Sequence, residues 1–194
     1  MKSKKPLLLA ITGATGMLYV PALLRLVAAS GTEVHAIISQ AGSEVLRMEL
    51  GLHAKQLPHV STWFNFDNFA AQPASGSALY RGMLILPCTA GTMGAIAAGY
   101  CANLIHRAAD VTLKEKRPLI LAFRETPLNR THLRNMLALE EAGAILCPPM
   151  PTFYNKPKCL EDIAHSFALR LCDLLEIMVP EADQHRWQGD VHVE

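Results

Sequence analysis

Short apolar runs alternate with longer amphipathic stretches along most of this chain, and each run is closed by glycine, proline or a small polar residue. Residues 7–12, 33–38, 82–86, 119–123 and 144–146 are too continuously apolar for a half-exposed sheet and predict strands buried on both faces. Between them, the helical period predicts helices over about 17–29, 41–50, 92–99, 131–142 and 160–177. A further helix carries Arg107 and Lys114, seven residues and two turns apart and so on one face, and Pro118 is expected to end it. Strand followed by helix, repeated, implies right-handed crossovers. The expected fold is therefore α/β: one doubly wound, Rossmann-like or flavodoxin-like, mostly parallel sheet with helices on both faces, in a single domain over 1–194. Residues 51–80 interrupt the rhythm. They show no clear period and read as a long functional loop, ordered by Trp63, Phe64, Phe66 and Phe69.

Composition narrows the function classes. The 194 residues are 51% hydrophobic with a net charge of +1, so nothing suggests a nucleic-acid footprint or a patch for an anionic membrane. The five cysteines are odd in number, scattered and never in a C-x-x-C pair. They read as reduced thiols of a cytoplasmic protein, and no metal site is expected. The apolar run after the basic start is too short for a signal sequence, and no segment approaches the ~20 apolar residues of a membrane span.

Open α/β sheets bind ligands beyond the carboxyl ends of their strands, and the candidate chemistry gathers there. Gly13-Ala-Thr15-Gly16 follows the first strand and precedes a helix, as a dinucleotide turn would, but Tyr19 takes the third glycine position. The second strand ends in Ile38-Ser39-Gln40, without the acid that would hold a nicotinamide ribose. A helix N-terminus and the Thr15 hydroxyl remain, suited to a flavin edge or a phosphate; a purely structural tight turn is the plainer reading. The small-residue turn Thr89-Ala-Gly91-Thr92 would let a flat ligand approach closely. Arg107, Lys114, Arg124 and the carboxylate Glu125 suit an anionic substrate such as a phosphate ester, with an acid near its leaving oxygen. Alternatively, Arg107, Asp110 and Lys114 are i,i+3 and i,i+4 pairs on a solvated helix face.

Gly13-Ala-Thr-Gly16 with Tyr19, Glu49, Pro73-Ala-Ser-Gly-Ser77, Pro87-Cys88-Thr-x-Gly-Thr92, the block from Asn103 through Arg107, Asp110 and Lys114-Glu115 to Pro118, Arg124-Glu-Thr-Pro127 and Pro149-x-Pro-x-Phe-Tyr154 together resemble the UbiX-type flavin prenyltransferases. The resemblance extends from the first strand to Arg186-Trp187. It implies an enzyme that binds reduced FMN and transfers a dimethylallyl group from dimethylallyl phosphate to flavin N5 and C6, without metal. The product, prenylated FMN, serves UbiD-type decarboxylases. It also implies a homo-dodecamer with sites at subunit interfaces.

Carried over residue by residue, the resemblance places Gly13, Ala14, Thr15, Ser39, Thr89, Gly91, Thr92 and Arg107 at the flavin. It places Lys114, Arg124 and Tyr154 on the prenyl phosphate, Glu125 beside that phosphate and Glu49 near N5, with Glu49, Glu125 and Thr15 as the catalytic set. Phe69 would stabilise the allylic cation through its ring face. Thr15 stands where many members have serine, keeping the hydroxyl and adding a methyl. An FMN-dependent cysteine-decarboxylase-type enzyme is the alternative, although its Pro-Ala-Ser-Ala-Asn-Thr and Pro-x-Met-Asn motifs are missing here. A non-catalytic flavin carrier is a third reading, against which a second phosphate site counts.

Overall fold

The computed structural model describes residues 5–180. Six strands, β1 (Leu7–Ile11), β2 (Val34–Ile38), β3 (Thr62–Phe64), β4 (Met83–Cys88), β5 (Leu119–Phe123) and β6 (Ile145–Leu146), form one sheet in the order β3-β2-β1-β4-β5-β6. Every pairing is parallel. This is the doubly wound order of dinucleotide-binding folds, with its reversal between β1 and β4. Helices α1 (Tyr19–Ala29), α2 (Gln40–Leu50), α3 (Ala90–Ala97), α4 (Leu104–Lys114), α5 (Arg130–Glu141) and α6 (Leu160–Leu174) connect or follow the strands.

The sheet separates two cores because successive strand residues point to opposite faces. Leu7, Leu9 and Ile11 pack with Leu23 and Leu24 of α1, Leu46 of α2 and Phe167 and Leu171 of α6. Leu8 and Ala10 pack with Ile96 of α3, Leu104 and Ala108 of α4 and Leu139 of α5. All residues of β1, β4 and β5 are buried, which is why these strands read as unbroken apolar runs.

Three expectations are corrected. The 51–80 segment is not a featureless loop: it contains β3 and two short 3₁₀ turns, Ala54–Gln56 and Gln72–Ala74. A three-residue edge strand is too short to show a period, and its residues are half-buried. Burial also pushes the Tyr80 phenol up to about 12, where it meets His35 Nδ1 at 3.0 Å and fastens the end of this segment to β2. Next, α4 stops at Lys114 rather than at Pro118. Lys116 takes φ 53 and the Arg117 N–H turns back to the Thr112 carbonyl, so Pro118 leads into β5. Finally, α6 ends at Leu174, with Glu176 at φ 53. Arg186 and Trp187 lie outside the described residues.

Candidate flavin and prenyl-phosphate site

At the strand-order reversal, the chain leaves β1 toward one face and β4 toward the other, opening a crevice at the carboxyl edge. Thr12 bridges its two walls. This residue is 2% exposed; its Oγ1 donates to the Pro87 carbonyl at 2.8 Å and accepts from the Thr89 N–H at 2.9 Å. Thr12 was not among the expected site residues. A polar residue closing an apolar strand was the available signal. Replacing Thr12 by Val leaves the Thr89 N–H unmatched, at about 1–3 kcal/mol, while the Pro87 carbonyl keeps the Thr12 backbone N–H at 3.2 Å. The expected result is a lowered Tm together with weakened FMN retention; an unchanged Tm would mean that β1 and β4 hold their spacing without the hydroxyl.

Thr89 caps α3: its Oγ1 accepts from Thr92 N at 3.2 Å and donates to Thr92 Oγ1 at 3.0 Å. A Cβ on Gly91 would meet nothing within 4 Å, so the outer side of this helix start faces open space. Ser39 caps α2, with its hydroxyl accepting from Gly42 N and its own N–H donating to the Ile11 carbonyl. The turns at 13–16, 39–42 and 89–92 therefore surround the carboxyl ends of β1, β2 and β4. Two capped helix starts and a small-residue rim suit the amide edge and phosphate of FMN. The groove continues beyond Ser39 as an open cavity of about 520 Å³ at the ends of β2 and β3, lined by Gln40, Ser43, Lys55, Trp63 and Phe66 among others.

Glu49 does reach the glycine turn. The turn lies along α2: a Cβ on Gly13 would overlap that of Ala41, and two helical turns further on Glu49 Oε2 accepts from Gly16 N at 3.0 Å and Met17 N at 2.8 Å. Gly16 has φ 107, a region most side chains avoid. Glu49 thus supplies the anion at the start of α1, and the N–H groups that this turn offers a ligand are partly taken by it. Thr15, one residue before Gly16, is exposed.

Arg124 and Glu125 stand just past β5 as expected. The Arg124 N–H donates to the Cys88 carbonyl at 3.1 Å, Glu125 Oε1 accepts from Thr126 N at 3.1 Å, and both residues are exposed. Tyr154, in the extended segment after β6, is 51% exposed, and Phe69 in the loop after β3 is 47% exposed. That loop is tied to α4 by the Leu104 N–H, which donates to the Phe66 carbonyl. Cys88 is chemically quiet, since full burial pushes its thiol up.

Lys114 does not join Arg124 within one subunit. A crossover helix runs antiparallel to its strands, so the last residue of α4 lies near the amino edge. The five residues of β5, about 16 Å at ~3.3 Å each, separate that edge from Arg124. Lys114 Nζ instead donates to Glu115 Oε1 at 2.7 Å. Arg107 donates to Asp110 Oδ2 at 2.8 Å and from Nε to the Ala74 carbonyl at 3.2 Å. Of the helix-face pairs weighed above, a single chain displays Arg107–Asp110, whereas Lys114 takes Glu115 in place of Asp110. No group of three or more His, Cys, Asp or Glu among the described residues could hold a metal ion, and no described helix is long and apolar enough to cross a membrane.

Known proteins agree with this geometry. The Flavoprotein family model matches residues 1–181. The flavin prenyltransferase UbiX of Methanothermobacter thermautotrophicus is 41% identical over 191 residues, covering 97% of this chain and 98% of its own. AnUbiX, solved in complex with FMN and dimethylallyl pyrophosphate, superposes with a TM-score of 0.91 at 36% identity, covering 96% of this chain and 98% of its own. A structure described as a dodecameric FMN-dependent UbiX-like decarboxylase from Escherichia coli O157:H7 superposes with a TM-score of 0.88 at 38% identity, covering 95% of this chain and 99% of its own. The chain belongs to the UbiX-type flavin prenyltransferases, within the Flavoprotein family.

Proposed function

We propose that this prenyltransferase joins a dimethylallyl group to N5 and C6 of reduced FMN, and that its site is shared between subunits. The carrying observation is the pairing of two features on one chain: capped helix starts around the carboxyl-edge crevice, and a separate cationic end of α4 at the opposite edge. FMN is the acceptor substrate, held by Gly13, Ala14, Thr15, Ser39 and the Thr89–Thr92 turn. Arg124, Glu125 and Tyr154 border the same crevice. Arg107 belongs with the flavin, and Lys114 reaches a donor there from a neighbouring subunit, because within one chain the length of β5 separates Lys114 from Arg124. A dodecameric relative and a relative holding FMN with dimethylallyl pyrophosphate support this arrangement.

The chemistry follows from charge. Breaking the allylic C–O bond leaves negative charge on phosphate, which Arg124 and Lys114 compensate, and positive charge on carbon, which the Phe69 ring face tolerates. Glu125 donates a proton to the departing phosphate or orients Arg124, and Glu49 carries the proton at N5 or C6. The product would pass to a UbiD-type decarboxylase in the cytoplasm; unpaired cysteines fit a reducing compartment. The cysteine-decarboxylase reading has neither of its motifs here, and a carrier has no use for a second set of cations. Mass spectrometry of the flavin after incubating reduced holoprotein with dimethylallyl phosphate tests all three: a gain of one five-carbon unit on FMN is expected, and unmodified FMN overturns the reading.

A further inference from the structure

We infer that Glu115 is an exchangeable counter-ion for Lys114, occupying its ammonium until the donor phosphate arrives, and that Gly76 is small so that this pair can form. This rests on the reading that Lys114 holds the donor phosphate. Three observations around the end of α4 carry it. Glu115 has one carboxylate oxygen on Lys114 Nζ at 2.7 Å and the other 3.8 Å from an Arg117 nitrogen. Arg117, whose side chain is 15% exposed, is fixed in turn: it donates to the Ala78 carbonyl and the Gly76 carbonyl, each at 2.6 Å. A Cβ placed on Gly76 would overlap the Glu115 carboxylate and approach Lys114 Nζ to 2.8 Å.

These contacts describe a carboxylate poised between two cations of unequal mobility. Lys114 is 48% exposed and ends a flexible stem, whereas Arg117 is bound to the backbone of the 72–78 segment. A phosphate that takes Lys114 meets Glu115 as a like charge at the same ammonium, and like charges a few Å apart repel. Glu115 can yield because Arg117 stands on its other side. No bond is made or broken in the exchange, and Lys114 stays charged and partnered in both states. The same competition favours release of the phosphate product. The Lys114 ammonium, which bonds Glu115 directly, also holds that carboxyl below its usual range, so the exchange persists across the neutral region. Glu115 is thus a positioning residue that tunes donor affinity through Lys114.

The test compares the purified holoenzymes E115Q, G76A, K114M and the double variant E115Q/K114M in their KM for dimethylallyl phosphate and their inhibition by inorganic phosphate. E115Q removes the competing charge, and G76A displaces it sterically while leaving it in the chain. Exposed ion pairs of this kind are weak, so each of these two variants should lower the donor KM only about two- to fivefold and strengthen phosphate inhibition to match. K114M should raise both constants, and E115Q should then have no effect in the K114M background. Parental constants in E115Q and G76A, or a raised KM in E115Q, overturn the counter-ion assignment while K114M still reports on Lys114. Parental constants in K114M itself overturn the underlying placement of Lys114 on the donor.

Discussion

Glu49→Gln should yield enzyme that attaches the prenyl group at N5 but stalls before the fourth ring closes. Ring closure removes the C6 proton, and the carboxylate seated at the glycine turn is the base proposed for it. Removing a positioned general base costs about 10²- to 10⁴-fold in the step it serves. Glutamine keeps one oxygen, so it can still accept from Gly16 N or Met17 N, which Glu49 holds at 3.0 and 2.8 Å. The turn should therefore persist and FMN should still bind. Thr15→Ser should be tolerated, since it deletes a methyl and keeps the hydroxyl. Rapid quench with mass spectrometry and absorbance separates the open adduct from the four-ring product, which share a mass difference from FMN but not a spectrum. Full conversion at the parental rate in Glu49→Gln would make Glu49 a cap for the start of α1 and leave the departing phosphate as the base.

How much of this was legible beforehand differs by element, for physical reasons. β1, β4 and β5 were readable because both their faces are buried, which leaves continuous apolar runs with no competing helical period. β3 was not, because three half-buried edge residues carry no periodic signal. Ser39 and Thr89 could be placed because a hydroxyl before a helix is a local signal, and both prove to be caps. Contacts across long sequence separations leave no such trace. Neither the Glu49 bonds to Gly16 and Met17 nor the Thr12 bridge to Pro87 and Thr89 could be found by spacing. The grip of Arg117 on the Gly76 and Ala78 carbonyls escaped in the same way, since a backbone acceptor has no residue identity. Lys114 is the instructive case. A helix feeding a parallel strand must end near that strand's amino edge, so its separation from Arg124 was deducible from topology once α4 was recognised as a crossover. Attention to helix face alone concealed it.

That separation predicts complementation between two defective variants. Arg124→Ala removes a charge-assisted partner of the donor phosphate, on the order of 1.5–3 kcal/mol, so donor binding should weaken about tenfold or more while FMN retention holds. K114M should fail at the same step for the same reason. Suppose that one donor site takes Arg124 from one subunit and Lys114 from another. Co-expressed chains carrying K114M or R124A then assemble some sites with both cations intact, because each defect can fall on the subunit whose residue is not needed there. For random assembly of equal amounts, about one site in four is complete, and prenylation should return to about that fraction of the parental rate. The doubly substituted chain, which has no intact partner, should stay inactive under the same conditions. Differently tagged chains, purified through both tags in sequence, confirm that the recovered activity belongs to mixed assemblies. Mixed assemblies no more active than either variant alone would mean that Lys114 and Arg124 serve the donor from one chain. The end of α4 would then have to move by most of the length of β5, and the shared-site arrangement would be wrong.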